Sequence, residues 1–403
     1  MSNMRINFFC IRPVKTYIHV LHHFGIYIIL PFSFIIISCN LLNAQKSDNS
    51  YRNYRFFEIK GHSGSHLYTG ENLKEALKNG YGAIEARYGW QSCNQQNWQG
   101  AFGYPAYGFG WYSGFIGNPD LLGTPGALYG FISFPLFKQQ RHQMVIEPAL
   151  GISYDLEPYD KKFNSTNDAI GSRFNVYFNF DIGGNYRLNR EMDFIYGIDF
   201  THFSNGRMFK PNAGLNMWGP NIGFRYHFNA KQNKTDNSEF PTQLLQVRPL
   251  LPASRNAKAV NISEFSFYGA GGLVQNPEDK GTSKQYYTTT FITEYRYILN
   301  EKTAFALGID YFYDSSLKFY YPEISHWFYG AHVGYDLLFW KMALRIQLGT
   351  YLHERGRFYK GNYFLRPALR YDFNRRWFTQ IGLKTVDGSK ADWVEFGLGL
   401  KIF

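Results

Sequence analysis

Two residues with hydrolytic chemistry stand two apart in the run His202-Phe203-Ser204-Asn205. An imidazole takes up a proton near neutral pH, and a serine hydroxyl relieved of its proton attacks an acyl carbon. On a strand, residues two apart share a face. Upstream, that face carries Phe200, Ile198, Tyr196 and Phe194, all apolar, while Phe203, Thr201, Asp199, Gly197, Ile195 and Asp193 form a mixed, largely polar set. A soluble enzyme would bury the apolar row in its core, whereas a barrel in a membrane would turn it to lipid. Asn205-Gly206 then opens a loop that Pro211-Asn212-Ala213-Gly214 ends. On the next strand Asn216, Trp218, Pro220, Ile222, Phe224 and Tyr226 line one face, with Asn221, Arg225 and His227 opposite. Asn216 therefore shares the lipid-side surface with His202 and Ser204.

The elements that position these residues follow from period-two alternation. Met144, Ile146, Pro148, Leu150, Ile152 and Tyr154 oppose Glu147, Ala149, Gly151, Ser153 and Asp155. Phe174, Val176, Phe178, Phe180 and Ile182 oppose Asn175, Tyr177, Asn179 and Asp181. Farther on, Arg345, Arg366 and Arg370 stand singly on the face opposite rows of Leu, Ile and Tyr, which suits a polar lumen better than a sandwich core. Aromatic residues reach 19% and charged residues only 18%. No stretch after residue 45 approaches the roughly 20 apolar residues of a spanning helix. The expected fold is all-β, an antiparallel transmembrane β-barrel of the outer-membrane type, with Glu71 to Asn79 as a short helical turn.

About eight alternating segments fall in residues 45–229 and about seven or eight in 262–403, with 230–261 between them as a long loop or linker. The second set is expected to complete one larger barrel of about fourteen to sixteen strands, two smaller barrels being the alternative. The final strand, with Val394, Phe396, Leu398, Leu400 and Ile402 alternating before Phe403, resembles the signal that barrel-assembly machinery reads.

Residues 1–44 read as an export signal: Arg5, Arg12 and Lys15 precede an apolar run from Gly25 to Ser38, and Leu42-Asn43-Ala44 offers a cleavage site. Ile36-Ile37-Ser38-Cys39 competes as a lipoprotein box that would lipidate Cys39. Cleavage after Ala44 leaves Cys93 as the single thiol, so no internal disulfide is available. The formal charge of +11 loses Arg5, Arg12 and Lys15 to give +8. These cations are scattered, which argues against nucleic acid and suits anionic lipopolysaccharide. No phosphate-binding glycine loop or zinc spacing is present, and no cofactor or metal is expected. Gly61-His62-Ser63-Gly64-Ser65-His66 lacks the spacing of a nucleophile elbow and reads as a turn rather than a metal site. His326 and His353 read as strand-end or lumen positions.

The run from Asp199 to Asn216 resembles the active-site segment of the lipid A 3-O-deacylase (PagL) family. The resemblance is strongest over 193–229 and rests on His202-x-Ser204-Asn205 followed by Pro211-Asn212. It implies an outer-membrane barrel that removes an ester-linked acyl chain from lipid A, with lipopolysaccharide as substrate and the outer membrane of a Gram-negative cell as its location. It also implies that Ser204 is the nucleophile and His202 the base, with Asn205 and Asn212 around the oxyanion. Gly206 and the Asn-rich loop, for their part, allow the tight approach that an oxyanion hole requires. Asn216 departs from the family, whose prototype has a glutamate there. An amide still accepts a hydrogen bond from imidazole but brings no charge to the imidazolium. Glu58 or Glu147 is conceivable as a substitute carboxylate. The alternative is a non-enzymatic barrel, a pore or structural protein derived from the same family.

A weak repeat completes the reading. Tyr186-Arg187-Leu188-Asn189 and Gly197-Ile198-Asp199-Phe200 recur, at constant offset, as Tyr297-Ile298-Leu299-Asn300 and Gly308-Ile309-Asp310-Tyr311. Tyr313 and Ser315 then stand where His202 and Ser204 do. Duplication of the halves and simple likeness between barrel strands both account for it.

Overall fold

The computed structural model describes residues 54–402 apart from 69, 93–96, 139–140, 190, 229–258, 324, 353–359 and 389. The expected signal peptide, Cys39, Cys93, His353, Phe403 and most of the 230–261 linker lie outside the described residues.

The alternating segments are strands, and they close into two separate barrels. The first comprises β1 (Tyr54–His66), β2 (Tyr81–Gln91), β3 (Ala106–Phe115), β4 (Gly123–Lys138), β5 (His142–Leu156), β6 (Asn175–Arg187), β7 (Met192–Ser204) and β8 (Leu215–His227). The second comprises β9 (Ala259–Val274), β10 (Tyr286–Asn300), β11 (Thr303–Asp314), β12 (Trp327–Phe339), β13 (Met342–Tyr351), β14 (Tyr363–Asp372), β15 (Trp377–Val386) and β16 (Lys390–Lys401). β1 closes on β8 with Ile59 opposite Phe224, and β16 closes on β9 with Leu400 opposite Phe267. All pairings are antiparallel, and all but these two closures join consecutive strands.

The single larger barrel expected from the sequence is thus corrected to two of eight strands. Each set satisfies its own edges, so neither has a free edge to offer the other. The linker is also shorter than expected, since β9 already begins at Ala259. The helical turn predicted at Glu71 to Asn79 is confined to α1 (Lys74–Leu77), and α2 (Asn97–Ala101) and α3 (Pro119–Leu122) are additional short turns between strands.

Alternation decides which side chain goes where. On β8, Trp218, Ile222 and Phe224 are exposed on the outside, while Asn221 and Arg225 are buried inside. An outside so apolar needs lipid, and a closed antiparallel barrel leaves no unpaired backbone in it. Among the described residues no helix is long and apolar enough to cross a membrane. The protein is an outer-membrane-type β-barrel.

Both interiors are filled with paired charges. In the first barrel Arg87 Nη2 lies 2.9 Å from Glu85 and Arg225 Nε donates to Glu58 at 2.8 Å, while Lys60 Nζ donates to Glu147 at 2.9 Å and Asp181 at 3.2 Å. In the second, Arg345 bridges Asp336 at 2.8 Å and Glu294 at 2.7 Å, and Arg366 reaches Asp310 at 2.9 Å. Eight strands leave an interior just wide enough for side chains. These networks occupy it, which weighs against an aqueous pore.

The repeat seen in the sequence falls on the β6–β7 hairpin and the β10–β11 hairpin. These are the sixth and seventh strands of one barrel but the second and third of the other. A tandem copy would keep strand order, so the match reflects the likeness of barrel hairpins.

Candidate active site

The site is built where β7 and β8 end in their connecting loop. Register sets His202 directly opposite Asn216. Phe203, between the histidine and the serine, points inward and packs on Tyr177 and Tyr112, with ring centroids 5.5 and 6.0 Å apart. That inward anchor obliges His202 and Ser204 to take the outer face. Below it, Thr201 Oγ1 donates to Asp199 at 2.9 Å and Asn179 Nδ2 donates to both, which fixes the inner face of the same strand.

On the outer face His202 bridges its two neighbours. Nδ1 stands 2.6 Å from Asn216 Oδ1 and Nε2 stands 2.8 Å from Ser204 Oγ. Because an amide oxygen only accepts, Nδ1 carries the proton and Nε2 is left to accept from the serine hydroxyl. The ring also stacks on Phe200 at 6.4 Å and 9°. Gly214, with φ +78°, lies against it, and a Cβ there would come within 2.9 Å of His202 Cε1. Any side chain at 214 would therefore push on the imidazole.

The remaining predicted residues divide. Asn212 folds back so that its Oδ1 accepts from the Asn205 N–H at 3.0 Å, which leaves Nδ2 as the end able to donate elsewhere. The Asn205 side chain is committed to structure: Nδ2 donates to Ser172 Oγ at 2.8 Å, and Oδ1 accepts from the Phe209 N–H at 3.3 Å. Gly206 is in the left-handed region at φ +61° and buried, and its N–H finds no acceptor among the described residues. Lys210, on the same loop, is held below the ordinary lysine range by burial and by the Arg207 guanidinium.

Glu58 and Glu147 are corrected as substitute carboxylates, because both are inside the barrel on Arg225, Arg87 and Lys60. The turn expected at Gly61 to His66 is likewise a strand. His62 points into the lumen, 3.1 Å from both Asp199 and Glu85, as a member of the interior network. His326 sits just before β12, 2.9 Å from the Tyr321 carbonyl. In the second barrel, Tyr313 stands where the histidine would be and Ser315 Oγ donates to the Tyr287 carbonyl, so the outward array occurs once among the described residues.

Sequence reasoning missed the segment that supports the loop from behind. The carbonyls of Asp168 and Ala169 accept from the N–H groups of Ala213 and Gly214 at 3.4 and 3.0 Å. Asn167 holds this segment by accepting from Ala169 and Ile170 and donating to Leu121 and Glu157. The only signal was compositional, an Asn-, Asp- and Ser-rich loop.

Fold and family together define an outer-membrane β-barrel of the acyl-hydrolase class. Residues 83–225 match the family described as lipid A 3-O-deacylase (PagL), and residues 263–403 match that described as acyloxyacyl hydrolase, C-terminal domain. The chain belongs to the lipid A 3-O-deacylase (PagL) family, in a form that carries this second barrel. No curated protein matches the chain. Among solved structures, the outer membrane enzyme PagL aligns with 42% of this chain and 98% of its own at 14% identity and TM-score 0.29. The P. putida toluene transporter TodX aligns with 87% of this chain and 89% of its own at 8% identity and TM-score 0.16. These identities and TM-scores are too low for either likeness to bear on function.

Proposed function

We propose that the chain is an esterase of the outer membrane that removes an ester-linked acyl chain from lipid A or a related glycolipid, with Ser204 as nucleophile. The observation that carries this is the His202 bridge, 2.6 Å to Asn216 and 2.8 Å to Ser204 on the apolar side of β7. The Ser204 hydroxyl proton passes to His202 Nε2 as Oγ bonds to the ester carbonyl carbon. Asn216 holds the Nδ1 tautomer that makes this direction of transfer possible. The tetrahedral oxyanion is met by the Gly206 N–H and Asn212 Nδ2, donors in a water-poor setting where each is worth most. Collapse breaks the ester C–O bond, and the leaving sugar oxygen takes the proton from Nε2. Water then repeats the cycle on the acyl-serine and frees a fatty acid.

The outward site accounts for the substrate class. Ile198, 58% exposed, lies farther down the same outer face of β7, so an acyl chain lying along that face approaches the site without crossing a barrel wall. A substrate anchored in the outer leaflet fits that approach.

The test uses the purified chain in detergent micelles with a fluorophosphonate probe and a chromogenic acyl ester. Labelling of the wild type at Ser204, lost together with ester turnover in Ser204→Ala and His202→Ala, is expected. Turnover that survives in Ser204→Ala would refute the serine mechanism.

A further inference from the structure

Between Ser204 and Leu215 the chain leaves the first barrel and meets the second. Gly206 and Arg207 are both left-handed, at φ +61° and +74°. For an arginine that conformation is strained and persists only where the surroundings over-determine it. Here they do. The Arg207 carbonyl accepts from the Gln275 N–H at 2.9 Å, just past β9. Its guanidinium donates through Nη1 to Asp392 at 3.1 Å and through Nη2 to Ser316 Oγ at 3.3 Å, with Asp314 at 3.6 Å. The Lys210 N–H donates to Gln275 Oε1 at 2.6 Å, and Gln285 Nε2 donates to the Met208 carbonyl at 2.8 Å. At Gly206 the fit is so close that a Cβ would lie 2.3 Å from Val394 Cγ2.

From these contacts we propose that the second barrel is a clamp for the active-site loop of the first, and that Arg207 is its positioning residue. The inference rests on the hydrolase reading above and assigns a role to the second barrel within it.

The charge arrangement argues that the benefit falls on the loop. Asp392 already accepts from Lys360 at 2.8 Å and from Lys384 at 2.6 Å, and Asp314 accepts from Lys360 at 2.5 Å. The second barrel thus neutralises its own carboxylates with its own lysines. Arg207 is a third cation brought to the same pair by the other barrel, so its removal leaves no buried carboxylate alone. What it does fix is the backbone one residue from Gly206, whose N–H is the donor assigned to the oxyanion. Both ends of the loop are held within the first barrel, by Asn205 and Asn212, and the second barrel adds its own hold on the Arg207 and Met208 carbonyls between them.

The test is steady-state kinetics of the full chain in micelles on a chromogenic acyl ester. Displacing an oxyanion donor by about 1 Å costs roughly a hundredfold. Arg207→Ala is therefore expected to lower kcat about 30- to 100-fold while KM stays within about twofold and the temperature at which the barrels unfold on gels is unchanged. Fluorophosphonate labelling of Ser204 slows in parallel, and Arg207→Lys, which keeps one cation but not the fork, recovers part of the rate. If Arg207→Ala fails to fold, Gln285→Ala removes the bond to the Met208 carbonyl and is expected to lower kcat in the same way. Wild-type turnover with undiminished kcat in the folded variants overturns the clamp alone. A wild type that neither turns over ester nor labels at Ser204 overturns the hydrolase reading and the clamp with it.

Discussion

Replacing Asn216 with aspartate adds a charge and almost no volume where the family prototype has a glutamate. The amide oxygen already stands 2.6 Å from His202 Nδ1, so the Asn216→Asp carboxylate takes over the same hydrogen bond without moving the ring. As His202 accepts the serine proton, a full negative charge would face an imidazolium with charge centres about 4 Å apart. At an effective dielectric of about 20, that attraction is worth about 4 kcal/mol. The half-buried carboxylate loses part of it to desolvation, leaving about 1.5–3 kcal/mol for the transition state, or a ten- to hundredfold rise in kcat. Asn216→Ala, which frees the tautomer, should fall at least about a hundredfold below the wild type. The assay is single-turnover acylation of the purified chain, which separates chemistry from product release. An Asn216→Asp variant that acylates no faster than the wild type would refute the reasoning that the amide limits the rate.

Three further outcomes follow from the geometry. Gly214→Ala must hold a side chain at φ +78° against His202 Cε1, so kcat should fall tenfold or more while the barrel still folds, as read by ester turnover beside gel mobility. Arg87→Leu strips the cation from Glu85, Glu147 and Tyr129 inside the first barrel, and should destabilise it by about 3–5 kcal/mol in urea titration of the refolded protein. Ile198→Arg places a charge on the outside of the middle of β7, and should cost about 2–4 kcal/mol of folding in lipid vesicles, with a much smaller effect if that face met water.

What was legible in the sequence was what strand periodicity controls. His202, Ser204 and Asn216 could be put on one surface because each sits at an even step from a run of apolar residues, and the cross-strand register delivers the contact. Asn205 was harder: its type suits an oxyanion site, yet its side chain is spent on Ser172, 33 residues earlier in the chain. His62 was misread because the glycines around it suggest a turn, while the carboxylates that hold it belong to strands β2 and β7. Closure into two barrels depends on β1 finding β8, a pairing between distant edges that leaves no local mark. Arg207 was invisible for the same reason, since its partners Ser316 and Asp392 lie 109 and 185 residues away.

Mass spectrometry of lipid A from Gram-negative cells expressing the chain tests the central claim most directly. Expression of the wild type should produce lipid A lighter by one ester-linked acyl chain, and Ser204→Ala at equal outer-membrane abundance should leave it intact. Lipid A left unaltered by the wild type, or altered equally by Ser204→Ala, would contradict the account.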